Sequence, residues 1–395
     1  MKNDREFYFG VCEIFEGAVD PAVDPKQTVD LVIKTGFKSM RLWMHNSDLL
    51  ALDGSGKPVL RPDKIAMYKE LIGRLIKGGV THLTAMSHRY LYPKNFADSP
   101  AENTFPSYGS KYYIPFMELQ AQSYELIAKT FPEIKFWEVG NEVNVDRFVA
   151  KLGYDENNAT PETTFTVDEK AQLVTDLCYY CALGIKTANP QALVVMPSPA
   201  GDRFVAADFI DRIYVNILSG KYPTGRTPDA NLRSYFDILS WHPYNFSGDS
   251  DYLVETCDYI YNVAKKHQDD GVKVFITEYG YYDDDLVKFG LPQRDSDVRQ
   301  AGCLIGDLEA IKQRLPYVET VHIFRLLDWE KGPGMEKTFG LYTSPQSKTG
   351  IIPKAKGVMV YKYLKGANAD TRLLYKYAKL NIQDDKNLFN KEANK

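Results

Sequence analysis

Two glutamates end strongly apolar runs: Glu142 closes FWEVGNE (136–142) and Glu278 closes VFITE (274–278). Cleavage of a glycosidic bond requires a facing pair of carboxylates. One donates a proton to the leaving oxygen, and the other attacks the anomeric carbon or activates water. Their surroundings must differ, the acid needing a raised pKa and the nucleophile a hydrogen-bonded, ionised state. Arg41 and Tyr244 are the candidates to hold Glu278 ionised, and Asn141, next to Glu142, is placed to bind a sugar 2-hydroxyl. Glu13, His88, His242 and Trp329 also stand at the ends of apolar runs. Glu138 lies four residues before Glu142, so strand alternation points it the same way, and a carboxylate buried there needs a basic partner.

The elements that must carry these residues form an alternation. Strand-like runs at 7–14, 39–44, 81–88, 136–142, 193–200, 238–245, 274–280 and 321–329 are separated by helical patterns. The helices are expected at 26–35, 62–78, 114–130, 168–187, 203–219, 250–267 and 295–314, with an eighth at 354–365. Asp24-Pro25 and Arg61-Pro62 mark helix starts; Gly36, Gly78-Gly79 and Asn189-Pro190 mark ends. Strands alternating with helices imply parallel neighbours, and eight such units imply a closed barrel. An open doubly wound sheet would carry a Gly-rich turn after its first strand, and CEIFEGAVDPAVDP is not one. The expected fold is therefore α/β: a single (β/α)₈ TIM barrel with long βα-loops over 1–365, then a C-terminal extension over 366–395, partly ordered at most. In a TIM barrel the site lies at the carboxyl ends of the strands, where these candidate residues fall. Glutamates on strands four and seven face each other across the mouth.

Composition sets the outer limits. The 395 residues carry 48 basic and 52 acidic side chains, a net charge of −4, which argues against a nucleic-acid or anionic-membrane partner. No apolar stretch approaches the ~18 residues of a membrane span. The five cysteines match no disulfide or zinc framework, and Cys178 and Cys181 read as core thiols one helical turn apart. Free thiols and an N-terminus without an apolar signal core point to the cytoplasm, although a secreted protein whose signal has been removed would look the same. The histidines do not cluster at metal-ligand spacing, and Asp283, Asp284 and Asp285 read as a solvated loop rather than a calcium site, so no metal or cofactor is expected. Tyrosine is abundant, with 27 residues, many in 89–113 and at Tyr281-Tyr282, which suggests an aromatic cleft lining.

With Asn141-Glu142 ending strand four and Glu278 ending strand seven, the chain resembles the retaining glycoside hydrolases of clan A, the 4/7 superfamily. The resemblance extends over roughly 7–365 and includes Arg41 after strand two, His242-Pro-Tyr244 on strand six and Trp329 on strand eight. It implies Glu142 as acid/base, Glu278 as nucleophile, Arg41 and Tyr244 against the nucleophile, and Trp329 as floor of the −1 subsite. Val143 stands where many of the clan carry proline, and the family within the clan stays open. Substrate contacts are expected from Arg41, His88, Asn141, His242, Tyr244, Trp329 and Glu13. The expected activity is retaining hydrolysis of a β-linked oligo- or polysaccharide; the alternative is a carbohydrate-binding barrel without hydrolysis. An aldolase would need a lysine at a strand end for a Schiff base, and no strand offers one.

Overall fold

The computed structural model describes residues 6–371 apart from 15–23, 98–99, 102–103, 221–228, 245, 283–292, 331, 333 and 349, with backbone alone at 14 and 293–297. Eight parallel strands close a barrel: β1 (Tyr8–Ile14), β2 (Ser39–Trp43), β3 (His82–Met86), β4 (Phe136–Glu138), β5 (Leu193–Val195), β6 (Ile238–Trp241), β7 (Lys273–Tyr279) and β8 (Val318–Phe324). They are hydrogen-bonded in chain order, and β1 pairs with both β2 and β8, which closes the cylinder. Eight helices follow the strands in turn: α1 (Pro25–Thr35), α2 (Pro62–Lys77), α3 (Tyr113–Thr130), α4 (Val167–Ala188), α5 (Arg203–Ser219), α6 (Ser250–Lys266), α7 (Gln293–Arg314) and α8 (Ala355–Lys365). The fold is the expected (β/α)₈ barrel. Between β2 and α2 the chain adds a helical turn (Asn46–Leu49) and a hairpin of Leu50–Leu52 with Pro58–Leu60, none of which the alternation reveals. From residue 372 onward, the expected C-terminal extension lies outside the described residues, as do Asp283, Asp284 and Asp285.

Helix starts follow the sequence punctuation. Asp24 accepts the Lys26 N–H ahead of Pro25, and Gly36 ends α1 in the left-handed region at φ 102°. Thr166 and Glu169 form a reciprocal capping box at α4. Strand ends depart from expectation. The hydrogen-bonded ladders stop at Met86, Glu138 and Trp241, short of His88, Glu142 and His242. β8 ends at Phe324, so Arg325, Asp328 and Trp329 lie in the following loop. Apolar runs continue past the ladders because the loop residues are still buried against the barrel rim.

The interior is layered. Phe136, Val195, Ile238 and Phe275 fill one apolar layer. In the layer above, toward the strand C-termini, alternation puts Glu138, Arg41 and Thr277 inward, all buried. The site sits on this polar layer.

Candidate active site

Glu142 reaches the barrel mouth by a turn rather than by strand alternation. Beyond Glu138 the chain leaves the sheet, and Asn141 makes a single parallel bridge to Ser198. Glu142 adopts φ 42°, a left-handed conformation that costs a non-glycine residue on the order of 1–3 kcal/mol and clusters at functional sites. A Cβ at Gly140 would sit 2.8 Å from the Val143 side chain and 3.0 Å from that of Pro197, so only glycine fits the turn.

Glu138, at the end of β4, anchors the site from below. Arg41 donates to it from Nε at 2.5 Å and Nη2 at 3.0 Å, from Nη2 to Asn141 Oδ1 at 2.8 Å, and from Nη1 to Glu278 Oε1 at 2.5 Å. One guanidinium therefore serves two carboxylates and an amide, the forked geometry that distinguishes arginine from lysine. With its Oδ1 occupied, Asn141 offers the cavity its amide N–H groups. The Tyr244 hydroxyl donates to Glu278 Oε2 at 3.1 Å. Burial and the Glu278 charge push the Tyr244 phenol well above its ordinary range, so it remains a donor. His242 Nδ1 lies 3.1 Å from Glu142 Oε1 and 3.7 Å from Glu278 Oε2. One atom from each of Glu142, His242 and Glu278 falls within 4.8 Å of the others. The two carboxylates thus meet over one space in unlike surroundings. Glu278 is 6% exposed and bonded to Arg41 and Tyr244, whereas Glu142 is 22% exposed and open to the cavity.

This trio also offers the donor types of a metal site. Within it Glu278 is engaged by Arg41 and Tyr244, and His242 Nε2 by Thr277 at 3.0 Å, while Glu142 faces the cavity.

The cavity above the pair is about 790 Å³. His88, Asn141, Tyr244 and Trp329 line it together with Glu142 and Glu278. His88 Nδ1 and Trp329 Nε1 are buried there with no hydrogen-bond partner in the protein. Three expected substrate contacts do not line it. Arg41 and His242 are buried and reach the carboxylates from behind. The Glu13 carboxylate is consumed by an ion pair with Arg325 and by the Leu327 N–H at 2.9 Å. Arg325 stacks over Trp329 at 5.6 Å, so Glu13 holds the loop that carries Trp329 rather than the cavity wall.

The aromatic lining is also not the one expected. Tyr90, Tyr113, Tyr281 and Tyr282 are buried in packing. Three of their hydroxyls are spent on protein partners: Tyr90 on the Val139 carbonyl at 3.0 Å, Tyr113 on Asp176 at 2.9 Å and Tyr281 on Asp307 at 2.6 Å. The wall is instead built from Trp43, Phe148, Phe246, Phe324 and Phe339 with Tyr244 and Trp329. Trp43 and Phe324 end β2 and β8, a position that could have flagged them. At the rim Arg147 donates to Glu336 at 2.8 Å, joining the loops after β4 and β8 over the mouth. No periodicity marks such a loop-to-loop pair. The C-x-x-C reading holds, with Cys178 and Cys181 free and buried in α4.

No family model and no curated protein matches the chain. Solved structures do. A GH39 β-xylosidase from Caulobacter crescentus is 20% identical with a TM-score of 0.58, over 92% of this chain and 71% of that one. The β-glycosidase from the hyperthermophile Thermosphaera aggregans is 14% identical with a TM-score of 0.62, over 94% and 98%. A β-glucosidase from Exiguobacterium marinum is likewise 14% identical with a TM-score of 0.62, over 94% and 100%. At these identities the likeness establishes the shared (β/α)₈ barrel.

Proposed function

We infer that the chain is a retaining β-glycoside hydrolase, with Glu142 as acid/base and Glu278 as nucleophile. The observation that carries this reading is the approach of the two carboxylates to within 4.8 Å, one clamped by Arg41 and Tyr244 and one open to the cavity. That spacing suits direct attack, for which carboxyl groups stand ~5–5.5 Å apart, and leaves too little room for the intervening water of an inverting enzyme. Similar barrels among solved structures include β-xylosidases, β-glycosidases and endoglucanases, which supports a sugar substrate.

In the first step a Glu278 oxygen forms a bond to the anomeric carbon as the glycosidic C–O bond breaks, and Glu142 gives its proton to the departing oxygen. In the second, water attacks the anomeric carbon, its proton returns to Glu142, and Glu278 leaves as a carboxylate. Asn141, His88 and Trp329 supply N–H donors to sugar hydroxyls, and the aromatic wall packs on the sugar's C–H faces.

Aryl β-glycosides test this. Glu278→Gln is expected to abolish turnover. Glu142→Ala is expected to slow release of poor leaving groups by about 10²–10⁴, to spare glycosylation by good ones, and to yield glycosyl azide when azide is added. Failure of azide to restore turnover would remove Glu142 from the acid role. Binding of glycosides without release by the unaltered protein would favour the non-hydrolytic alternative.

A further inference from the structure

Behind the catalytic pair lies a buried polar chain that no step above uses. His242 Nε2 is 3.0 Å from Thr277 Oγ1. Thr277 Oγ1 is also 3.1 Å from Glu138 Oε1 and 2.5 Å from Ser198 Oγ. Ser198 Oγ is in turn 3.1 Å from Glu138 Oε1 and 2.7 Å from Ser240 Oγ. Ser240 donates its own hydrogen to the Met196 carbonyl. Glu138, Ser198, Ser240 and Thr277 are all fully buried, so no solvent enters this count.

Counting hydrogens then decides the histidine tautomer. Four close oxygen–oxygen contacts link Thr277, Ser198, Ser240 and Glu138, and only the hydroxyls of Thr277 and Ser198 have hydrogens left for them. If Thr277 turned its hydrogen toward His242, one would remain for all four, with a charged carboxylate competing for it. Thr277 must therefore donate inward and accept from His242, which places the ring hydrogen on Nε2. Nδ1 is left with a lone pair aimed at Glu142 Oε1 at 3.1 Å.

We propose that Thr277, backed by Glu138, is a positioning residue that locks His242 in its Nε2–H tautomer, so that Nδ1 accepts a hydrogen bond from protonated Glu142 and keeps the acid loaded. This rests on the reading of Glu142 as the acid. The other titratable groups facing His242 are Glu278 at 3.7 Å, with Arg41 and Tyr244 behind that carboxylate, and Glu138 beyond Thr277. With the opposite tautomer, Nδ1–H would donate to Glu142 and favour its ionised form, and the acid would be lost at lower pH.

The test uses Thr277→Val, which keeps shape and removes the hydroxyl, and Thr277→Ser, which restores it. In Thr277→Val the alkaline limb of kcat/KM is expected to move down by roughly one pH unit, the size of one lost hydrogen bond. The loss at neutral pH is expected to be larger for poor leaving groups than for good ones. Thr277→Ser is expected to return both to the starting values. A purely structural role would lower all substrates alike and leave the limb in place, and that result overturns the proposal. Nitrogen-15 NMR of labelled histidine in the unaltered protein reads the tautomer without any turnover. Hydrogen on Nε2 alone at neutral pH supports the proposal, and hydrogen on Nδ1, alone or in an imidazolium, overturns it even if the valine variant does not fold. Absence of hydrolysis on every glycoside would sink the enzymatic reading and leave this spectrum to decide the tautomer.

Discussion

Glu278 is pulled in opposite directions by its neighbours. Burial raises its carboxyl above the ordinary value of 4.5, and the nearby Glu142 adds to this, while the Arg41 guanidinium draws it down. The net direction is upward. A carboxyl must be ionised to attack, so on the proposed mechanism the acid limb of kcat/KM is expected to have its midpoint above about 4.5, and activity falls as pH drops through it. Replacing Arg41 removes the main cation and should move that limb further up; Arg41→Met should also cost about 3–5 kcal/mol by leaving two buried carboxylates unpaired. Urea titration and a pH–rate profile of the variant check both effects. A limb that stays put in Arg41→Met would show that the guanidinium does not set the ionisation of Glu278. The residue types of this cluster could be named from sequence, because a catalytic carboxylate needs a donor and a cation. Their division of labour could not: Arg41 and His242 touch the carboxylates rather than the cavity, and Thr277 looks like any strand threonine.

The eight βα-units explain why elements were legible and their ends were not. Short strands buried on both faces give apolar runs, and Pro, Asp and Gly punctuate the helices, so the alternation survives in one dimension. The ladder, however, ends where backbone pairing ends, and burial continues beyond it. The strand reading over 321–329 therefore ran past Phe324 into the loop that Glu13 and Arg325 hold. Helix packing shows the same blindness. Gly184 lies inside α4, where alanine is normally the better helix former by about 1 kcal/mol. A Cβ there would stand 2.0 Å from the Ala121 carbonyl oxygen of α3. Gly184→Ala is therefore expected to destabilise the protein by about 1–3 kcal/mol, against the propensity scale. A thermal midpoint at or above the wild-type value would show that α3 and α4 do not pack this closely.

Across the molecule, four of the six histidines resist protonation. Burial drives His82 and His88 down to about 3, and His45 and His322 fall well below the ordinary 6.5. The unfolded chain takes up these protons near 6.5 and the folded one does not, so stability is complete above that value and is lost on acidification. Each histidine still neutral in the fold costs up to about 1.4 kcal/mol per pH unit below it. The urea midpoint is expected to fall continuously from about pH 7 to about pH 4, with proton uptake on unfolding. A midpoint that does not change over this interval would mean that the barrel interior admits charged imidazoles.

The sequence by itself determined the barrel and pointed to two carboxylates at its mouth, because alternation of buried runs and residue chemistry at their ends are local properties of the chain. Only the tertiary structure decided which side chains look into the cavity and which stand behind it, that phenylalanines and tryptophans rather than the tyrosines of 89–113 and 281–282 join Tyr244 in the wall, and that one guanidinium joins Glu138 to Glu278. Those outcomes depend on turn conformations, such as that of Glu142, and on contacts between residues far apart in the chain, which have no period for a sequence to display.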